Sequence, residues 1–279
     1  MSQLTAALAR RALAQFGSPE RAAGVTRFFK AGKGEYGEGD VFIGCTVPEC
    51  RLVAKEFRAL PLAEVEKLMI SRIHEERAVG LFILGAQFER SPDRKIFQLY
   101  RKRMAFVNNW DLVDMSAPNI VGGWLADKPR GLLDTLAKSK VLWYRRIAMV
   151  ATFHFIRRGE SKDAIRIAAA LVNDRHDLIH KAVGWMLREV EKRASAEALR
   201  KFLERYAATM PRTMLRYAVE RLTAAEKEKW MKKREEALNR RAAKRKSSPP
   251  ERKSSRSERP RSERKSPRSE RKSSRSLPS

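Results

Sequence analysis

Apolar residues recur at three-to-four spacing along almost the whole chain, and that spacing decides the fold class. It is clear from Ile147 to Ile156, and again through Ala164, Ile165, Ile167, Ala168, Leu171 and Val172. Alternating β-branched runs closed by Asn-Gly or Asp-Gly turns are almost wanting, so the pattern predicts an all-α chain. Breakers divide it at short intervals: Ser18-Pro19, Val47-Pro48, Leu60-Pro61, Ser91-Pro92-Asp93, Lys128-Pro129, Arg158-Gly159, Asn173-Asp174 and Met210-Pro211. Proline suits a first helical turn, and glycine or asparagine commonly closes a last one. The expectation is about a dozen helices of about 10 to 18 residues with short links, plus one longer glycine-rich stretch at residues 31–40. Short-linked helices without a heptad repeat point to an α-solenoid, in which hairpins stack and bury a continuous core. The internal repeats are weak, so HEAT-like units at residues 1–240 fit better than a tight consensus. A basic concave face on such a stack would form a duplex-sized groove.

Charge narrows the partners. The chain carries a formal +27. Residues 240–279 hold 16 Lys+Arg against 4 Asp+Glu, a net of +12, which leaves +15 on residues 1–239. A body that basic attracts polyanions, either nucleic acid or anionic lipid. No run approaches the roughly 18 to 20 apolar residues that span a bilayer, and arginines break up the opening MSQLTAALARRALAQF before it can serve as a signal peptide. The expected location is the cytoplasm, associated with the nucleoid, with no membrane partner. Cys45 and Cys50 stand in a lone C-x4-C spacing, a poor zinc site, and read as reduced thiols. Residues 247–279 repeat a Ser-Glu-Arg-Lys/Pro unit with almost no apolar residue, so a disordered tail is expected. It reads equally well as a polyphosphate-binding arm or as a solubilising extension.

Familiar enzyme signatures are missing: there is no phosphate-binding loop, no strand-linked G-x-G-x-x-G, no H-E-x-x-H and no G-x-S-x-G. His176 and His180 lie one turn apart but lack a third ligand, so neither a metal nor another cofactor is expected. Three segments instead place aromatic and charged groups together. They are Asn108-Asn109-Trp110-Asp111-Leu112-Val113-Asp114, Leu142-Trp143-Tyr144-Arg145-Arg146-Ile147 and Lys181-Ala182-Val183-Gly184-Trp185-Met186-Leu187-Arg188-Glu189. Trp110 and Asp114 are four apart and share a helix face. Taken singly, each segment also has a plain reading: a tryptophan in the core, a capping aspartate, a surface arginine.

Together, W-D-x-V-D, W-x-x-R and K-A-x-G-W-x-L-R-E resemble the AlkD-type DNA glycosylases, a HEAT-like-repeat family that removes alkylated purines. Arg27-Phe28-Phe29-Lys30, Phe42-Ile43-Gly44, Pro48-Glu49-Cys50-Arg51 and His74-Glu75-Glu76-Arg77 extend the resemblance, in order, from about residue 5 to about residue 235. It implies a catalytic carboxylate at Asp114 flanked by Trp110 and Trp185. It also implies DNA contacts from Arg146, with Phe28, Trp143, Lys181 and Arg188. Phe28 stands where the family commonly has tyrosine, which removes a hydroxyl. The resemblance further implies reading by shape, with the damaged pair left in or near the helix, although glycosylases as a class flip their target.

The residue types suit that chemistry. Alkylation at a purine ring nitrogen makes the base cationic and weakens its bond to deoxyribose. An anionic Asp114 could then stabilise an oxocarbenium-like sugar and orient water. Tryptophan faces favour a nearby cation, and an arginine can hold a phosphate. The expected protein is a monomeric, monofunctional glycosylase acting on double-stranded DNA with alkylated bases of the 3-methyladenine and 7-methylguanine type. The alternatives are a non-catalytic HEAT-like binder of damaged or branched DNA and a protein-interaction solenoid. The glycine-rich stretch is read as a mobile surface loop, against a second reading in which Tyr36 reaches the groove.

Overall fold

The structure is a computed structural model and describes residues 3–247. It is all-helical: among the described residues the β pairing amounts to an isolated parallel bridge between Val41 and Ile73. The first helices are α1 (Ala6–Ala14), α2 (Pro19–Phe28), α3 (Val47–Glu56), α4 (Leu62–Met69), α5 (His74–Arg90) and α6 (Arg94–Lys102). The middle of the chain gives α7 (Trp110–Ala117), α8 (Gly131–Ala137), α9 (Leu142–Ala151), α10 (Phe153–Ile156) and α11 (Lys162–Leu171). Then come α12 (Asp177–Arg193), α13 (Ala196–Tyr206), α14 (Arg212–Ala218) and α15 (Ala224–Ser247). Residues up to Arg240 form one compact unit, and of the chain beyond it residues 241–247 are described. The tail expected from residue 247 onward lies outside the described residues, except for Ser247.

The breakers work as local chemistry. Ser18 accepts the Arg21 N–H ahead of Pro19, and Asp93 accepts the Lys95 N–H ahead of α6. Thr46 and Glu49 close a reciprocal capping box at α3, each side chain bonding the other's backbone N–H. Each such cap contributes about 1 kcal/mol by satisfying donors that a helix start leaves open. Packing follows the helical-repeat plan: α4 lies on α5, α7 and α8 on α9, and α9 and α14 on α12. Leu112 and Val113 of α7, Ile147 and Val150 of α9, and Ile179 and Val183 of α12 are fully buried. Each is worth about 1.5–3 kcal/mol of transfer out of water.

The helices are more numerous and shorter than the spacing predicts, and two places show why. The apolar run from Ile147 to Ile156 breaks at Thr152, whose hydroxyl donates to the Met149 carbonyl at 2.6 Å and competes with the helix ladder. In α7, Pro118 has no N–H to offer the Asp114 carbonyl four residues earlier, and the chain continues as a π-helical turn over Pro118–Gly122. The widening begins just after the carboxylate that the sequence singles out.

Gly184 sets the approach of α12 to α14. A Cβ there would sit 2.4 Å from Tyr217 Cβ and 2.6 Å from the Met214 carbonyl oxygen. Only glycine lets the backbones meet, and the contact carries Trp185 and Tyr217 to the same surface. Gly184→Ala should therefore destabilise the body by about 1–3 kcal/mol, read as a fall of several degrees in the thermal midpoint. An unchanged midpoint would show that α14 yields without cost.

Candidate functional site

The segment from Asn108 to Asp114 distributes its polar groups in two directions. Asn108 and Asn109 turn back to the glycine-rich stretch, where their Nδ2 atoms lie 3.2 and 3.4 Å from the two carboxylate oxygens of Asp40. Asp111 accepts from His74 Nε2 at 2.8 Å, while His74 Nδ1 lies 3.0 Å from Asp40. Arg77 completes the cluster, donating to Asp40 at 2.6 Å and to the Ser71 carbonyl at 2.8 Å. Both ring nitrogens of a buried histidine thus face carboxylates, and that arrangement calls for two donors, an imidazolium. Burial opposes the charge, but Asp111 and Asp40 outweigh it and raise the His74 pKa. Burial likewise pushes the Asp40 carboxyl up, and His74, Arg77 and Asn109 more than offset it, holding it below the usual range. Phe29 and Phe42 lie against the imidazole, with centroids at 5.0 and 4.8 Å.

The next residue in the chain knits in as well. Glu75, also buried, accepts the backbone N–H groups of Ile43, Gly44 and Cys45 at 3.1, 2.8 and 3.3 Å. The Phe42-Ile43-Gly44 and His74-Glu75-Glu76-Arg77 segments are therefore binding partners of each other. Beside them lies a mainly apolar pocket of about 530 Å³, bounded by Val25, Phe42, Phe82 and Met115 and walled by Phe28 and Trp110.

On the other side of that wall lies a cleft of about 470 Å³ lined by Phe28, Lys30, Tyr36, Trp110, Asp114, Arg146, Leu178, Lys181, Trp185, Arg188 and Tyr217. Four cations and five aromatic rings surround one carboxylate. Arg146 holds Asp114 in a two-pronged grip, Nε to Oδ1 at 2.9 Å and Nη2 to Oδ2 at 2.7 Å, and its Nη1 donates to the Leu178 carbonyl at 2.6 Å. About one fifth of the Asp114 side chain stays open to the cleft. Burial outweighs Arg146 and leaves the Asp114 carboxyl above its ordinary range. Phe28 stands 65% exposed, edge-on to Trp110 at 5.9 Å. Trp110 is held from behind by Phe29, stacked at 5.3 Å, and Trp185 leans on Phe153 at 5.8 Å.

The cleft brings together Asp114, Trp110, Trp185, Phe28, Arg146, Lys181 and Arg188. Two of the expected DNA contacts sit apart from the others in burial and partners. Trp143 is 8% exposed, does not line the cleft and packs behind Tyr36, edge-on at 5.9 Å. Arg146 is 5% exposed, and its guanidinium is bonded to Asp114 and to the Leu178 carbonyl. Arg188 is paired with Glu220, while its Nε–H, out of solvent, has no partner among the described residues. Lys181 pairs with Asp177 at 2.8 Å and remains partly exposed. His176 caps α12 through its ring, and His180 bonds the Asp174 carbonyl at 2.6 Å.

Sequence reasoning left the glycine-rich stretch between two readings and did not see what orders it. It folds back as a series of turns, with Gly37 N–H bonded to the Lys30 carbonyl at 3.0 Å and Asp40 anchored as described, and it delivers Tyr36 into the cleft. Of the two readings of that stretch, the one that brings Tyr36 toward the groove describes where its side chain lies. The available signal was Asp40, an acid closing a run of glycines, but its partners lie about 30 to 70 residues away in sequence.

A family model described as "DNA alkylation repair enzyme" matches residues 9–222. The chain belongs to the DNA alkylation repair enzyme family. Among solved structures it is similar to a predicted DNA alkylation repair enzyme from Enterococcus faecalis, at 19% identity and a TM-score of 0.62. That match covers 75% of this chain and 97% of the other. It is also similar to AlkD2 from Streptococcus mutans, at 18% identity and a TM-score of 0.48, over 74% of this chain and 99% of that one. No curated protein matches the chain. The first likeness shows the shared all-helical repeat fold, and family membership gives a DNA-repair role with DNA as the partner. No helix among the described residues is long and apolar enough to cross a membrane.

The imidazolium makes a prediction that is independent of catalysis. A histidine whose folded pKa is raised contributes stability fully below its unfolded value of about 6.5, and loses it as pH climbs through the folded value. The thermal midpoint should fall as pH rises above about 6.5, and His74→Gln should lower the midpoint while flattening that dependence. An equally steep dependence in the variant would place its origin elsewhere.

Proposed function

We propose that this family member is a DNA glycosylase that hydrolyses the N-glycosidic bond of cationic alkylated purines in duplex DNA. The observation that carries the reading is the single carboxylate, Asp114, oriented by Arg146 inside a cleft of cations and aromatic faces. A purine alkylated on a ring nitrogen leaves as a neutral base once its bond to C1′ breaks, so departure needs no acid. The barrier lies in the sugar, which becomes cationic as the bond stretches. A carboxylate in a partly dry cleft stabilises that charge far more than it would in water.

Each residue then has a task. Arg146 fixes the Asp114 carboxylate in one orientation, and the lone pairs its grip leaves free accept a proton from water approaching C1′. The faces of Trp110 and Trp185 favour a cationic base or sugar by about 0.5–2 kcal/mol each. Lys30, Lys181 and Arg188 line the same cleft, and in this reading their charge carries the salt-sensitive part of binding to the phosphates that flank the lesion. Phe28, exposed at the mouth, offers a ring face to a base or deoxyribose. Neutral lesions, whose bonds are not weakened beforehand, are excluded by chemistry.

Duplex DNA carrying 7-methylguanine tests the reading. The protein should release free base and leave heat-labile abasic sites. Asp114→Asn should slow single-turnover release about 10²–10³-fold with duplex binding retained. The carboxylate must be ionised to act, so activity is present above the Asp114 pKa and is lost as pH falls through it. Because that pKa lies above the usual aspartate range, the acid limb should appear at higher pH than an ordinary carboxylate gives. Arg146→Gln removes the opposing cation and should move the limb further up. No release from any cationic lesion, with tight binding to distorted or branched DNA, would establish a binder in place of an enzyme.

A further inference from the structure

The glycine-rich stretch brings a hydroxyl into the cleft. Tyr36 is half-buried there, its ring edge-on to Trp143 at 5.9 Å, and the groups that act on its phenol are the Trp110 indole and the Lys181 ammonium, opposed by the Glu35 and Asp111 carboxylates. The backbone fixes this placement. Lys30, two residues past the end of α2, takes the left-handed region at φ 50°, Gly37 returns to bond its carbonyl, and Asp40 locks the far end to His74, Arg77, Asn108 and Asn109. At Gly37 a Cβ would stand 2.5 Å from the Phe29 carbonyl oxygen, so the stretch can lie this close to α2 only with glycine there.

We propose that Tyr36 is a DNA-contacting residue whose hydroxyl donates a hydrogen bond to a phosphate oxygen of the strand held in the cleft. The proposal rests on the reading that the cleft takes DNA. Three features direct it to a phosphate. The indole N–H of Trp110 and the ammonium of Lys181 can only donate, so they face the phenol oxygen and leave its own proton for an acceptor. Lys30, Lys181 and Arg188 line the same cleft, and their field draws phosphate oxygens there. Burial keeps the phenol pKa above its ordinary value, so the group stays a neutral donor. At the neighbouring position Phe28 offers a ring without a hydroxyl. Tyr36, from another segment, supplies the polar contact that Phe28 cannot make.

A neutral donor differs from a lysine in a measurable way. It releases no counterion, so its loss weakens binding equally at every salt concentration, whereas loss of one phosphate-bound cation reduces the salt slope by about one. The probe is a duplex carrying a stable tetrahydrofuran abasic analogue, titrated with the full chain at several salt concentrations. Tyr36→Phe should bind about fivefold more weakly with the wild-type slope, its ring still held on Trp143. Lys181→Ala should lower the slope. Gly37→Ala, which displaces the loop while keeping Tyr36, should lose at least as much affinity as Tyr36→Phe. In single-turnover release from 7-methylguanine duplex, Tyr36→Phe should raise the half-saturating protein concentration and leave the saturated rate within about twofold, as expected for a contact made equally before and during reaction. Wild-type affinity in Tyr36→Phe overturns the proposal. So does a changed salt slope, or a slowed saturated rate at unchanged half-saturation. If the wild type releases no base, the glycosylase reading fails while the abasic-duplex titration still decides the role of Tyr36.

Discussion

The cleft depends on an imidazolium held between two carboxylates. Asp40, His74 and Asp111 come from a loop, the first turn of α5 and the first turn of α7, and each is placed by the others. Buried charge of this kind stabilises a fold poorly, because desolvation consumes most of the attraction. What it provides is register. Any slip of α7 against α5 would leave a carboxylate facing a vacated ring nitrogen, with a buried ion uncompensated. Asp111 is adjacent to Trp110 and three residues before Asp114, so the same bond that fixes α7 also fixes the indole and the carboxylate in the cleft. Asp40 does the same for the stretch that carries Tyr36.

The electrostatics divide by range. The excess of +15 on residues 1–239 acts over a Debye length and draws any polyanion, independent of lesion. Asp114 acts over one contact. In the proposed reaction these pull against each other, since a field that attracts phosphates repels a cationic base and an oxocarbenium-like sugar. A single carboxylate among aromatic faces resolves the conflict locally, with Lys30, Lys181 and Arg188 in the same lining and a compensating charge where the sugar would become cationic. Phe28 and Trp110 add apolar surface that neither attracts nor repels phosphate, which lets the site be partly dry without losing its grip on the backbone.

Helix class and most boundaries were legible in the sequence because they rest on local chemistry: Ser18 before Pro19, Thr46 with Glu49, Asp93 before α6. Thr152 and Pro118 fell short of that, since a hydroxyl bonded to its own helix and a proline met by a π turn leave no mark in apolar spacing. Of the candidate site, the family resemblance carried by three segments pointed to Trp110, Asp114, Arg146, Lys181, Trp185 and Arg188, which share one cleft. Their orientation was not legible. Arg146 and Trp143 stand on one helix, and nothing in Trp-Tyr-Arg-Arg says that the tryptophan turns inward or that the second arginine binds an aspartate 32 residues away. The placement of Tyr36 was left open for another reason. Glycine content reads as freedom, yet at Gly37 the missing side chain serves close approach, and the order of the segment comes from Asp40, whose partners are remote in sequence.

The Arg146 grip explains why an arginine fits this position better than a lysine. An aspartate in a largely buried cleft tends to protonate, and a neutral carboxyl would neither stabilise a cationic sugar nor take a proton from water. A lysine would supply charge but would leave the carboxylate free to rotate. The planar guanidinium binds both oxygens at once and has a third donor for the Leu178 carbonyl, so it ties the carboxylate to the start of α12, the helix that carries Lys181, Trp185 and Arg188. Strong neutralisation by Arg146 would also blunt the carboxylate. Asp114 keeps a pKa above the ordinary range despite the pairing, so it remains basic enough to accept a proton, and its exposed fifth faces the cleft, the side from which the sugar and the water would come.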